Sequence, residues 1–589
     1  MRTAVTFAWV LLLAQGEARP AAKPAPKPTA EQRTAQTILR SLSLHDRIAQ
    51  LVIGAYYGDA PSPRSREFAT FRHWVKDLHI GGLIMVNRVQ HGLVRTADPH
   101  TLALFLNQIQ KLSKTPLLIG ADFERGSSMR VSDTIRYPFN MAFAAARDVD
   151  GSRNQGLATA REARALGVQW VFAPVADVNN NPLNPVINIR SYGENPDEVA
   201  QHVAAFIDGA HSDPKNLVLV SAKHFPGHGD TSIDSHLDLA RLEAGRDRMS
   251  QVELKPFEAA IAHGVDSIMT AHMTVPAVEP EEIPATVSAR VLTGLLREEL
   301  GFKGLVVTDA MDMAGLTKQF HTGEASVRAI EAGADVLLMP PDPGTAIRAL
   351  LAAVASGRLS RQRIDQSALR VLEAKIRVGL TKKKLVDLDA VSDALDSEEE
   401  AERAQNVADR AVTLVRNEGD VVPLVTPNQA CLVVSAGIRR SSFGQQLAEE
   451  FRKRAPQARI VFVDNSLPLA ALDALAGDVS ACSPLVFATF TVNPMLSGEL
   501  SAYLEKLTQG PAPVTLVSFG NPYLLAGFPK VAGYLAAFST ATPSEVSVAK
   551  ALMGEIPITG HLPVTIPNVA QYGDGIQLPA KTRSAPSTN

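Results

Sequence analysis

Three histidines, two aspartates and a lysine fall within KHFPGHGDTSIDSH, the stretch from Lys223 to His236. Its glycines and proline rule out a helix. The apolar run Leu217 to Val220 just before it reads as a buried strand that delivers the cluster into a site. Within the cluster, Asp234 and His236 stand two residues apart. At that spacing a carboxylate accepts the imidazole N–H and fixes its tautomer, which turns the histidine into a proton-transfer device.

A second candidate is Asp309, in LVVTDAMDM at the end of a strongly apolar run. A carboxylate carried there on rigid backbone attacks as a nucleophile or stabilises a cation; the structural reading is a helix N-cap for the segment from Ala310. Asp122 in IGADFERGSSMR, Arg130 beyond it, Arg190 in NIRSYGENP, and the adjacent Lys223 and His224 add a carboxylate with cationic and imidazole donors. Such a set orients sugar hydroxyls without a metal, the carboxylate accepting hydroxyl protons while Arg and Lys donate. Each also has a plain structural reading: Arg190 bracing a turn, Arg130 as a solvated helix charge, Lys223 paired with Asp309. A metal site is the competing reading of the loop, since His224, His228, Asp230, Asp234 and His236 are all possible ligands. The zinc spacing HExxH is missing, as is the GxSxG elbow of a serine hydrolase, so neither a metal nor an organic cofactor is expected.

These residues need a scaffold that brings distant strand ends together. Short aliphatic runs alternate with helical stretches at Gly82 to Val86, Pro116 to Ala121, Trp170 to Ala173, Leu217 to Val220, Ser267 to Thr270, Leu305 to Val307 and Val336 to Met339. That is a βα pattern and implies a parallel sheet. Polar residues follow the runs (Asp122, Asp177, Lys223 with His224, His272, Asp309), as on the catalytic face of a (β/α)8 TIM-type barrel. No glycine-rich dinucleotide or phosphate loop supports an open nucleotide-binding sheet. The barrel is expected over 31–380, a charged connecting segment over 381–404, a smaller α/β sandwich domain over 405–572, and a loose tail over 573–589.

With 589 residues the chain exceeds one ordinary core, and 58 basic against 61 acidic residues, formal net charge −3, point away from nucleic acid or membrane as partner. A small glycan is the expected partner. Arg2, the apolar run Ala4 to Leu13 and the small residues after it read as a signal peptide over 1–18, followed by a Pro/Ala-rich tether over 19–30. Export to periplasm or medium is therefore expected, with no stable membrane insertion after cleavage. The only cysteines, Cys431 and Cys482, read as buried small hydrophobes, their pairing left open.

KHFPGHGDT followed by DSH, with VVTDAM, NIRSYG and PATVSARVLTGLLREELGFKGLVVTD, resembles the family 3 glycoside hydrolases, specifically their β-N-acetylglucosaminidase branch. The resemblance begins near Leu44 (SLHDRIAQL), and AVTLVRNEGDVVPL and GHLPVTIP resemble the second domain of longer members. It implies a retaining exo-hydrolase with Asp309 as nucleophile, His236 as acid/base oriented by Asp234, and Asp122, Arg130, Arg190, Lys223 and His224 as ligands of a terminal N-acetylglucosamine from peptidoglycan fragments or chitin oligosaccharides. The family's usual D-Q-E-G-G is here Asp122-Phe123-Glu124-Arg125-Gly126, so an apolar ring and a bulky cation replace an amide and a glycine. Two other activities stay open at this level: a β-N-acetylglucosaminide phosphorylase, because an imidazole at the acid/base position does not repel phosphate, and a catalytically weak glycan-binding protein.

Overall fold

The computed structural model describes residues 29–581, apart from 91–92, 437–441, 465, 477–478, 480–481 and 494. The leader and most of the tether lie outside the described residues. Thr29 caps the first helix, Ala30–Ser41.

Eight parallel strands form the first domain: β1 (Val52–Tyr56), β2 (Gly82–Met85), β3 (Leu118–Ala121), β4 (Trp170–Val171), β5 (Leu219–Phe225), β6 (Ser267–Thr270), β7 (Leu305–Val307) and β8 (Leu337–Leu338). Each pairs with its sequence neighbour except β7 with β8, and β8 returns to β1 with Val52 opposite Leu337. An isolated bridge between Val307 and Val336, with Thr308 N–H donating to Val336 O at 3.0 Å, brings the β7 edge back to β8. This is the TIM-type barrel that the alternating runs imply. The alternating pattern misses β1, because its apolar residues continue directly from the amphipathic helix Leu44–Ala49.

β5 differs from its expected extent in a way that matters for the site. The aliphatic run ends at Val220, yet the strand continues through Lys223 and His224 to Phe225, all of it buried. Against β6, Ala222 faces Ile268 but Phe225 faces Thr270, so the register slips at Lys223–His224. A bulge of this kind re-aims side chains, and here it lets two polar residues end an otherwise apolar strand.

The second domain is a six-stranded sheet of β9 (Thr413–Asn417), β10 (Cys431–Ser435), β11 (Arg459–Val463), β12 (Leu485–Thr489), β13 (Val514–Ser518) and β14 (Gly533–Ala536), in the order β9-β14-β13-β12-β10-β11. Only β9 is antiparallel to its neighbour. Helices cover both faces and enclose two apolar clusters, which makes it the smaller α/β sandwich. Helix Glu398–Ala411 runs unbroken across the boundary that composition suggests at 404. The chain beyond Gly573 is tied down as far as it is described: Ile576 N–H donates to Leu414 O at 2.7 Å and Leu578 pairs with Ile558. Charge and glycine content give no sign of these backbone bonds.

Cys431 and Cys482 form a disulfide, Cα–Cα 5.5 Å, at the entries of adjacent strands β10 and β12. This settles the pairing that the sequence leaves open: the two are a cross-link as well as small apolar groups. Closing a 51-residue separation is worth about 4 kcal/mol in the chain-entropy account.

The domains share an apolar layer. Met141, Ala142 and Ala145 of the barrel helix Asn140–Ala145, and Ile189 from the loop after β4, belong to the core of the sandwich. That packing fixes the barrel mouth against the second domain.

At the barrel seam Asp335 is fully buried and accepts from Arg297 at 2.5 Å, Arg370 at 2.9 Å, Ser367 Oγ at 2.5 Å and Val306 N–H at 3.1 Å. Removing one partner of a buried charge set costs about 3–5 kcal/mol. Asp335→Asn is expected to lower the unfolding free energy of the barrel by that order, read as a lower guanidinium midpoint; a parental midpoint would show that the seam does not depend on this carboxylate.

Candidate active site

The C-terminal ends of the strands carry the polar residues, and their loops form the mouth of the barrel. Asp122, just after β3, accepts Lys223 Nζ at 2.8 Å on Oδ1 and Arg130 Nη2 at 3.0 Å on Oδ2. Lys223 also lies 2.7 Å from Glu124 Oε1. Glu124 in turn takes Arg190 in bidentate fashion, Nε at 2.9 Å and Nη2 at 2.7 Å. Arg190 Nη2 stands 3.4 Å from His224 Nε2, and His224 Nδ1 lies 2.7 Å from Asp177. Asp177 also accepts the backbone N–H groups of His224 and His228. Because Asp177 only accepts, the proton of His224 sits on Nδ1, and Nε2 is left to accept from Arg190.

The result is one alternating chain, Arg130, Asp122, Lys223, Glu124, Arg190, His224, Asp177. Burial alone would neutralise its members. It pushes the Asp122 and Glu124 carboxyls up, but Lys223 and Arg130 beside the first, and Arg190 and Lys223 beside the second, outweigh it and hold both below the usual carboxylate range. For Lys223, only 2% exposed, burial pushes the ammonium down and the two carboxylates more than reverse the shift. The barrel mouth therefore presents fixed charges of both signs.

Asp309 follows β7. Its Oδ1 accepts Ala310 N–H at 2.8 Å. The next helix begins only at Ala314 with Met313 as its cap, so Asp309 is not a helix N-cap. Burial pushes its carboxyl up, but His224, His272, the Ala310 N–H and His236 outweigh that and hold it below the usual range. His272 is buried, with Nε2 at 3.0 Å from Ala310 O and Nδ1 at 2.8 Å from Thr286 Oγ1, and burial pushes its imidazole down. It braces the loop that carries Asp309.

His236 and Asp234 sit on the loop after β5. Nδ1 of His236 lies 2.7 Å from Asp234 Oδ1, which also accepts the His236 N–H at 2.9 Å. The ring is 57% exposed, leaving Nε2 for proton exchange. Gly229 lets this loop cross the one after β4: a Cβ there would stand 1.8 Å from Val178 O. The loop's candidate metal ligands are otherwise engaged, His224 on Asp177 and His228 on Thr231 and Ser235. Among the described residues, the one group of three ligand atoms within 4.8 Å of each other is His45, Asp46 and His79, away from this mouth.

All eight sequence-predicted residues thus lie at one end of the barrel. Lys223 pairs with Asp122 and Glu124, not with Asp309. Sequence reasoning gave Glu124 no role in the site, and it placed Asp177 and His272 at the strand ends without their role as buried supports; the signal for Glu124 is its place two residues after Asp122. Phe123 is fully buried in the barrel core, and the Arg125 guanidinium lies 4.8 Å over the Phe139 ring. The sandwich braces the loop that bears Arg190, through Asn179 Nδ2 to the Tyr523 hydroxyl at 3.2 Å and Asn188 Nδ2 to Val492 O at 3.2 Å.

Residues 43–374 match the model of the glycosyl hydrolase family 3 N-terminal domain. The chain belongs to that family. It is 28% identical over 529 residues to the "Beta-N-acetylglucosaminidase/beta-glucosidase" of Cellulomonas fimi, covering 83% of this chain and 89% of that one. It is 30% identical over 552 residues to the "Beta-hexosaminidase A" of Pseudoalteromonas piscicida, covering 82% and 89%. Among solved structures, the family 3 β-N-acetylglucosaminidase of Paenibacillus sp. str. FPU-7 superimposes with a TM-score of 0.79 at 33% identity, over 89% of this chain and 99% of that one. This family 3 glycoside hydrolase thus keeps the barrel-plus-sandwich arrangement along most of its length.

Glu124→Gln removes the charge that Lys223 and Arg190 share. A charge-assisted hydrogen bond is worth about 1.5–3 kcal/mol, so kcat/KM for glycoside hydrolysis is expected to fall roughly tenfold or more with the barrel still folded. Parental kcat/KM in the folded variant would mean that the chain does not position substrate.

Proposed function

We propose that this chain is an exported, retaining exo-β-N-acetylglucosaminidase that removes the non-reducing terminal sugar from peptidoglycan fragments or chitin oligosaccharides. The observation that carries the reading is the Asp234–His236 pair on the β5 loop at the same barrel mouth as Asp309. It matches the DSH element that marks the N-acetylglucosaminidase branch, and the names of the relatives above point the same way.

In this reading Asp122, Arg130, Arg190, Lys223 and His224 hold the terminal sugar. Asp309, ionised, attacks the anomeric carbon, and the C–O bond to the leaving group breaks as the protonated His236 gives that oxygen its Nε2 proton. Neutral His236 then takes a proton from water, whose oxygen attacks the anomeric carbon and releases Asp309 as carboxylate. Asp234 keeps Nδ1 protonated in both steps, so that proton exchange stays on Nε2. The steps use side chains alone. Export is supported by the leader residues Arg2 and Ala4 to Leu13, and by the Cys431–Cys482 cross-link, which suits an oxidising compartment.

Purified protein is expected to release aryl alcohol from the β-N-acetylglucosaminide and not from the matched β-glucoside, with a chelator present and without added phosphate. Preference for the glucoside would overturn the substrate, and a requirement for phosphate would overturn hydrolysis. In kcat/KM, which reports the first step, His236→Ala is expected to lose roughly 10²-fold or more on poor leaving groups and little on activated aryl glycosides, since only the former need a proton to depart. Equal losses on both would remove the acid role.

The carboxyl of Asp309 is held below its ordinary value, and the attacking form is the deprotonated one. The loss of activity that reports protonation of Asp309 is therefore expected only as pH falls through a value under about 4. The acid limb of kcat/KM for His236→Ala on an activated aryl glycoside reads this directly; a limb above about pH 5 would contradict the ionised nucleophile.

A further inference from the structure

Asp234 and His236 are turned toward solvent, but Ser235 between them is only 2% exposed. Its hydroxyl lies 2.9 Å from His228 Nε2, and His228 Nδ1 lies 2.7 Å from Thr231 Oγ1. Burial pushes the His228 imidazole down to about 4, so it is neutral, with one donor and one acceptor nitrogen. One arrangement gives every proton an acceptor. Thr231 Oγ1–H donates to His228 O at 3.0 Å, Nδ1–H donates to Thr231 Oγ1, and Ser235 Oγ–H donates to Nε2. The catalytic steps above leave His228 without a role, although it is fully buried within the same loop.

The backbone of Ser235 is held from the other side. Gly315 N–H donates to Ser235 O at 3.1 Å, and Gly315 lies in the short helix Ala314–Thr317 that follows the Asp309 loop. A Cβ on Gly315 would meet Ser235 O at 3.0 Å, His272 O at 3.1 Å and Asp238 O at 3.2 Å. The contact is therefore close-packed, and a side chain there pushes directly on the middle of the DSH turn. That turn is itself closed by the N–H groups of Leu237 and Asp238 on Asp234 O, at 2.9 and 3.0 Å. Lys318, one turn on from Gly315, reaches Asp238 at 3.0 Å.

We propose that His228, Ser235 and Gly315 are positioning residues that latch the acid–base loop to the segment carrying Asp309, and so fix where His236 stands relative to the nucleophile. His228 acts as a buried post for the Ser235 hydroxyl. Gly315 supplies the backbone tie to the nucleophile side. The latch explains how a solvent-facing imidazole on a glycine-rich loop keeps one position without being packed itself. This inference rests on the acid–base role of His236.

The test compares kcat/KM on a series of aryl β-N-acetylglucosaminides of rising leaving-group pKa for the parent, Ser235→Ala, Gly315→Ala and His236→Ala, with inhibition by N-acetylglucosamine as a measure of sugar binding. Loss of one buried hydrogen bond is expected to cost Ser235→Ala roughly tenfold on the poorest leaving groups. Activity on the most activated substrate and the inhibition constant should stay near parental. Gly315→Ala is expected to show the same tilt with no polar group removed. A flat leaving-group dependence, parental or uniformly lowered, in folded Ser235→Ala would overturn the latch. Should Gly315→Ala fail to fold, Ser235→Ala decides alone. If His236→Ala itself shows no tilt, the acid–base reading fails and the latch with it. If His236→Ala tilts and Ser235→Ala does not, only the latch fails.

Discussion

The alternation of charge from Arg130 through Asp122, Lys223, Glu124 and Arg190 to His224 and Asp177 is the constraint on which the rest of the site depends. Buried ions survive only when each is paired and its remaining hydrogen-bonding capacity is used. In this mouth the pairing is mutual: every carboxylate neutralises a cation or orients an imidazole, and the two shared carboxylates, Asp122 and Glu124, each bind two cations. A site held this way keeps its charges while buried, and in the proposed function it would orient sugar hydroxyls through interactions that are already in place. The cost is sensitivity, since one missing partner strands its neighbours in a low-dielectric pocket.

The fold serves that chain in two ways. Parallel barrel strands bring residues far apart in sequence to one rim, so that Asp122 meets Lys223 and Glu124 meets Arg190. The slip in register at the end of β5 turns Lys223 and His224 into the mouth while the strand remains buried. The sandwich adds rigidity from outside. Its core takes in Met141, Ala142, Ala145 and Ile189 from barrel excursions, and its Tyr523 and Val492 hold the loop that supplies Arg190. The second domain thus supports the sugar site through the backbone of the barrel loops.

Much of this was legible in the sequence wherever the physical cause is local. Continuous aliphatic runs, buried along their length, give seven of the eight barrel strands, and the two-residue spacing of Asp234 and His236 gives their hydrogen bond. What the sequence could not supply is partner choice across the rim. The structural reading of Lys223 pairs it with Asp309, and only the barrel register decides for Asp122 and Glu124. The strand ends give away Asp177 and His272, but not that both act from full burial behind the residues that face the mouth. The Cys431–Cys482 pairing depends on β10 and β12 being neighbours, which their order along the chain does not reveal. Arg125, which by residue type looked able to recharge the pocket, instead stacks on Phe139 beside the layer shared with the sandwich.

The central claim is that the ionised carboxylate of Asp309 forms the bond to the sugar. Incubation with a fluorinated N-acetylglucosaminyl fluoride, which slows breakdown of a covalent intermediate, followed by intact-mass and peptide mapping, tests it most directly. The account predicts one added sugar per chain, located on the peptide containing Asp309 and lost in Asp309→Ala. A sugar mapped to another carboxylate, or inhibition of the enzyme with no covalent mass added, would contradict it.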